Sequence, residues 1–197
     1  MKRIFAIALV GVFLAVGVVA YAAEAPKTIK VGSSCSLTGP FGSGGAMCKA
    51  GYEIAIEHIN AQGGVFVKEF NKKIPLELVL LDDESNFTLT VSRMESLFTS
   101  HDVVAYLGGF SSPMHAAQAP IAEKNKVPIL MVATYLYSVH QKGYKYNFSP
   151  FPKSPDCAKA VFDILDSIPA AQKPKKVAIF MEKAPVGVEL GDMWKEE

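Results

Sequence analysis

Apolar positions along this chain follow two alternating rhythms. From residue 28 onward, short β-rich runs alternate with stretches whose apolar residues recur every three or four positions. This is the pattern of a parallel sheet with a helix in each crossover. The first run, 29–36, leads through a loop holding Gly39, Pro40, Gly42, Gly44 and Gly45 into a helix over 46–61, with Met47, Ala50, Ile54 and His58 near one face. Gly63 and Gly64 stop that helix. A second strand over 74–81, mostly apolar as suits a strand covered on both sides, ends at Asp82 and Asp83. The next helix, 88–99, spaces Val91, Met94, Leu97 and Phe98 helically, and a third strand covers 103–107. Gly108, Gly109, Phe110, Ser111 and Ser112 then turn the chain into a helix reaching Asn125. A fourth strand, 127–132, exits through Ala133 and Thr134; a short helix or turn at 136–141 and a strand at 145–148 follow. Pro150, Pro152 and Pro155 mark a crossover or hinge, after which a helix over 154–168 and a strand over 176–181 are expected.

The first residues follow another logic. Lys2 and Arg3 precede an unbroken apolar run over 4–20, and Ala20, Tyr21 and Ala22 offer a small-residue cleavage site, which together read as a secretory signal peptide over 1–23. An uncleaved membrane anchor is the competing reading. What remains is the size of one ordinary domain, and with half of the 197 residues hydrophobic it has enough apolar side chains for a core and is expected to be soluble. A formal net charge of +1 and the lack of basic clusters interleaved with aromatics exclude nucleic acid as an expected partner. Cys35, Cys48 and Cys157 would enter an oxidising compartment. Cys35 and Cys48 could approach one another as a disulfide; three buried free thiols are the alternative. Their spacing fits no zinc or redox motif.

In an open parallel sheet a ligand sits outside the carboxyl ends of the strands. Three loops end strands there: 36–45, 108–112 and 133–135. Glycines let backbone approach a small ligand, and N–H groups at a helix start beside a hydroxyl suit a carboxylate.

The order of motifs resembles a family. Ile29-Lys30-Val31, Ser36-Leu37-Thr38-Gly39-Pro40, the helix ending Asn60-Ala61-Gln62-Gly63-Gly64-Val65, then Asp82-Asp83, the turn from Gly109 to Ser112, Val127-Pro128-Ile129-Leu130, Ala133-Thr134, the region from Tyr146 to Phe151 and Lys176-Val177-Ala178-Ile179 are similar to the leucine/isoleucine/valine-binding receptors of ABC importers. The resemblance implies a type I periplasmic binding fold, α/β with helices on both faces of a parallel sheet. Its first lobe, 24–149, is nearly complete, and its second has only begun over 150–197, after the hinge crossover. It implies a periplasmic location, a small carboxylate-bearing solute such as an amino acid or related amide, an ABC permease in the inner membrane as partner, no cofactor, and a monomer when full length. At matching positions Ser111 would hydrogen-bond the solute carboxylate with Ser112 beside it, Ala133 would offer backbone groups, Thr134 would bind with hydroxyl and N–H, and Tyr135 stands next to it. Three departures accompany the likeness. Gly44 stands where these receptors place an aromatic over the ligand side chain, Ser85 and Phe110 stand at the positions of their disulfide, and Val186-Gly187 replaces a Tyr-Gly that touches ligand.

Other candidates carry less. Asp82 and Asp83 read as a helix-capping or solvated pair, without a base or nucleophile to make them catalytic. His58, His101, His115 and His140 have no metal-ligand spacing. The glycines at 42–45 match no phosphate-binding motif, and the sequons at Asn86 and Asn147 arise by chance. Tyr137, Tyr144 and Tyr146 are expected to pack rather than line a cleft. Two other readings share the fold class: a ligand-sensing domain of a membrane-anchored receptor, and an exported α/β enzyme.

Overall fold

The structure, a computed structural model, describes residues 24–196; the expected signal peptide lies outside the described residues. Strand β1 (Ile29–Cys35) lies second from one edge of a five-stranded parallel sheet. Helix α1 (Gly42–Ala61) follows. A small hairpin of β2 (Val65–Val67) and β3 (Lys72–Ile74) comes next, then β4 (Leu76–Asp82), α2 (Phe87–Thr99), β5 (Ala105–Leu107) and α3 (Ser112–Asn125). The chain continues through β6 (Ile129–Leu130), α4 (Tyr137–His140), β7 (Asn147–Phe148), α5 (Ser154–Ser167) and α6 (Pro185–Glu196). The sheet order is β4-β1-β5-β6-β7. β1 pairs with β4 along its whole length, from Ile29 opposite Leu76 to Cys35 opposite Asp82. Right-handed crossovers then put α1 on one face and the packed pair α2 and α3 on the other. The core lies beneath that pair, where Met94, Leu97, Tyr106, Ala119, Ala122, Ile129 and Met131 are all fully buried.

Several elements differ from their expected form. The apolar stretch over 74–81 is two strands divided at Pro75, which has no N–H for a ladder. Asn60 takes the role of a neighbouring strand there, donating Nδ2–H to the Leu76 carbonyl and accepting from the Leu76 N–H, both at 2.8 Å. The run over 127–132 pairs only at Ile129 and Leu130, because the Val127 N–H bonds to the Ala122 carbonyl and closes α3 instead. The face expected to bury α1 is exposed, with Met47 and Ile54 each 68% accessible. Helix α1 instead buries Gly44, Gly45 and Tyr52. It also begins four residues earlier than expected, inside the glycine-rich loop. Gly63, at φ 90°, ends it as the sequence indicates. The segment over 176–181 forms no strand; no other strand among the described residues pairs with it, and Phe180 is 93% exposed. It borders helices α5 and α6, which pack on one another. Tyr144 packs against the core as expected, while Tyr137 stays exposed.

Candidate functional site

The strand order places a topological switch at β1, whose neighbours β4 and β5 are reached by crossovers in opposite directions. A crevice outside the carboxyl ends of β1 and β5 follows from that order alone. The acidic pair at the end of β4 builds its floor. Asp83 is fully buried and accepts from Ser36 Oγ at 2.6 Å, Ser34 Oγ at 3.1 Å and the Ser85 N–H at 3.1 Å. Asp82 accepts from the N–H groups of Leu37 and Glu84, both at 2.9 Å, and from Thr38 Oγ1 at 2.8 Å. Burial pushes the Asp82 pKa up, but hydrogen bonds from Glu84, Thr38 and Leu37 outweigh it and hold the carboxyl below its usual value. Asp83 is thus sealed from solvent while Asp82 stays partly exposed, and neither caps α2, whose N-cap is Asn86, accepting from the Leu89 N–H at 3.0 Å. Its role is to fix the loop leaving β1.

Helix α1 then meets the turn after β5 in register. Tyr52 donates its hydroxyl to the Gly108 carbonyl, Cys48 Sγ lies 3.7 Å from the Gly109 carbonyl, and the Phe110 ring lies over Gly44. Residues four apart on the helix thus oppose consecutive residues of the turn in reverse order. From β1's other side, the buried Gln118 of α3 donates to the Ser34 carbonyl at 2.7 Å and accepts from the Gly109 N–H at 3.3 Å. All three cysteines are free thiols, and burial pushes the Cys35 thiol up to about 12, which leaves it an inert packing group.

Ser111 sits at the end of this turn with φ 76° and ψ 145°, near a corner of backbone space that only glycine visits freely, at a cost of roughly 1–3 kcal/mol. It is the N-cap residue of α3 but makes no capping hydrogen bond through its side chain. Its Oγ is enclosed and without a hydrogen-bond partner among the described residues. The first N–H groups of α3 lack intrahelical acceptors, and Pro113 contributes none. His115, one turn on and fully buried, bonds through Nδ1 to the Ser111 carbonyl at 2.7 Å and so braces this backbone.

The second turn is joined to the first: the Tyr135 N–H donates to Ser112 Oγ at 3.2 Å. Thr134 has no exposed surface, and its Oγ1 accepts from the Leu136 N–H at 3.3 Å, leaving the hydroxyl proton as what its side chain can still donate. Ala133 is half-buried. Tyr135 is 41% exposed, stacks edge-on against Phe151 at 4.9 Å, and lines an open cavity of about 270 Å³ shared with Val186, Gly187 and Trp194. All five expected residues therefore lie on two turns that touch, with Ser111 and Thr134 enclosed and Tyr135 open.

Two residues that sequence reasoning passed over hold the second turn from further along the chain. Lys153 spends its three ammonium protons on the carbonyls of Thr134 (3.0 Å) and Phe151 (2.7 Å) and on Ser149 Oγ (2.6 Å). Burial lowers its pKa, partly offset by the Asp156 carboxylate. Glu189, on α6, accepts from the N–H groups of Tyr137 (2.7 Å) and Ser138 (3.1 Å) and from Ser154 Oγ (2.5 Å). Burial raises the Glu189 pKa, and these hydrogen bonds more than reverse the effect. A lysine before Ser-Pro and a lone glutamate in a terminal helix carry no motif that would have singled them out.

A model of a periplasmic binding protein family matches residues 28–196. A Leu/Ile/Val-binding protein homolog 7 of Brucella abortus is 27% identical over 171 residues, covering 84% of this chain and 41% of that protein. A periplasmic binding protein type 1 from Bordetella pertussis is 27% identical with a TM-score of 0.69, covering 85% of this chain and 44% of that one. The branched-chain amino acid transporter substrate-binding protein LivJ of Streptococcus pneumoniae, solved with isoleucine, is 26% identical with a TM-score of 0.61, covering 71% and 39%. The chain spans about two fifths of the length of the curated relative. With the strand order, the switch-point turns and a family match over 28–196 in agreement, the chain belongs to the periplasmic binding protein family and has the type I fold of the branched-chain amino acid group.

Proposed function

We propose that the full-length protein is the extracytoplasmic substrate-binding protein of an ABC importer. It takes a small carboxylate-bearing solute, an amino acid of branched-chain type or a related amide, between two lobes and delivers it to an inner-membrane permease. Residues 24–149 are the first lobe, and 150–197 are the hinge crossover and the start of the second. Export through a signal peptide over 1–23 places it in the periplasm. The observation that carries the reading is the enclosed, unpartnered Ser111 hydroxyl, held in a strained backbone at a strand end and joined through Ser112 to the turn of Ala133, Thr134 and Tyr135. A buried hydroxyl without a partner is costly unless something completes its hydrogen bond. A carboxylate would do so, with α3's first N–H groups beside it. The names of the Brucella relative and the isoleucine-bound Streptococcus structure support the solute class.

Calorimetry of the full-length protein against a panel of amino acids and amides tests this. Ser111→Ala is expected to weaken binding of the preferred solute about tenfold or more, the value of one hydrogen bond to a charged group. Thr134→Ala should also weaken it. Affinity unchanged in both variants, with folding intact by circular dichroism, would reject the site.

A further inference from the structure

We propose that Phe110 and Gly44 are a single specificity-determining unit, in which the Phe110 ring fills the space above the first turn of α1 that a side chain at position 44 would occupy. The ring thereby sets which solute side chains fit beside Ser111. The inference rests on the reading that the solute's carboxylate is held at Ser111.

A Cβ placed on Gly44 would stand 2.4 Å from Cδ1, Cε1 and Cζ of the Phe110 ring, far inside contact distance, so the two positions cannot both carry a side chain in this arrangement. The backbone beneath the ring is held in place. The turn that bears it is pinned by Tyr52 at Gly108 and by Gln118 at Gly109, and the Phe41 ring flanks it at a centroid distance of 6.4 Å and an angle of 57°. Phe110 remains half-buried, so part of it faces outward. It directly precedes Ser111, whose backbone bonds to His115. A solute anchored by its carboxylate at Ser111 therefore has its substituent within reach of the Phe110 ring.

The charged groups at this end of the lobe are already engaged. Asp82 and Asp83 are committed to the loop at 34–38, and Lys153 to Thr134, Ser149 and Phe151. This lobe thus meets the solute substituent with an aromatic surface, and the reach of that surface is set by the pair at 44 and 110.

The test uses the full-length protein and four probes: glycine, valine, leucine and phenylalanine. Phe110→Ala is expected to weaken leucine about tenfold while changing glycine less than about twofold, and to shift preference toward phenylalanine as room opens. Gly44→Leu combined with Phe110→Ala returns apolar volume from the helix side and is expected to restore much of the leucine-over-glycine ratio. Phe110→Leu, which keeps volume, serves if the alanine variant does not fold, and should change the leucine-to-phenylalanine ratio. Equal weakening of every probe means the ring only supports the fold and overturns the inference. Binding that needs Ser111 but ignores both Phe110 variants overturns it while leaving the proposed function standing. A full-length protein that binds none of the four probes overturns the inference, and the proposed function falls with it only if the wider panel of amino acids and amides also fails to bind.

Discussion

Gly45→Ala is expected to be the most damaging single-methyl addition among the described glycines, destabilising the protein by on the order of 3 kcal/mol or more. A Cβ at this position would lie 1.8 Å from the carbonyl oxygen of Ser36 and 2.6 Å from its carbonyl carbon. Both are backbone atoms of the loop that Asp82 and Asp83 hold in place, so no side-chain rotation relieves the overlap. Either the loop leaves the acidic pair or α1 lifts off the sheet. Lifting α1 also breaks the Tyr52 bond to Gly108 and separates Gly44 from Phe110. Against a total stability of about 5–15 kcal/mol for a domain, the loss is a large fraction. Ser43→Ala, on an exposed neighbour in the same helical turn, is the control and should cost a few tenths of a kcal/mol at most. Urea unfolding of both variants reads the difference. A Gly45→Ala midpoint equal to that of the control would mean α1 does not approach β1 as closely as the structure has it.

This close approach also explains what the sequence could and could not reveal. The parallel α/β class, the succession of strands and helices, and the turns bearing Ser111 and Thr134 were legible, because apolar runs bounded by glycine and proline report the sheet directly; the order of strands within the sheet was not. The packing face of α1 was not. Its buried residues are Gly44, Gly45 and Tyr52, two of which have no side chain to register in an apolar period, while Met47 and Ile54 on the outside supply a false one. The acidic pair was visible as a motif but not as a structural anchor, since the partners that matter for the loop are serine and threonine hydroxyls and an N–H group 44 to 49 residues away. Lys153 and Glu189 were hidden for the same reason: each acts through backbone carbonyls or amides that any residue presents. The expected strand at 176–181 shows the opposite limit. Its β-branched and aromatic composition is sound, but a strand exists only where a neighbour pairs with it, and composition does not supply the neighbour.

Stability is expected to fall by roughly 3 kcal/mol as pH drops from about 6.5 to about 4, with His115 as the main cause. Burial holds the His115 pKa down to about 4; the bond to the Ser111 carbonyl opposes that, and the charges of Lys153 and His140 add to it. In the unfolded chain the same imidazole titrates near 6.5. Between these values the unfolded state binds the proton and the native state does not, so stability rises with pH across the window and is lost on acidification. Nε2, enclosed and without a partner among the described residues, is where the unwelcome proton would sit. His140 is also lowered, by burial and then by Lys153, and contributes in the same direction. Asp82 and Glu189, both held below their ordinary values of 3.8 and 4.5, begin to lose their stabilisation as pH falls through those values, so they add only at the acid end of this window and mainly below it. His115→Asn keeps a donor near the position of Nδ1 but cannot titrate. Its unfolding free energy should therefore be nearly flat from pH 6.5 to 4 apart from the smaller share of His140, which a further His140→Asn change removes. Parallel pH profiles for wild type and His115→Asn, each read by urea titration at half-unit steps, would show that the buried imidazole is not the group whose protonation destabilises the fold.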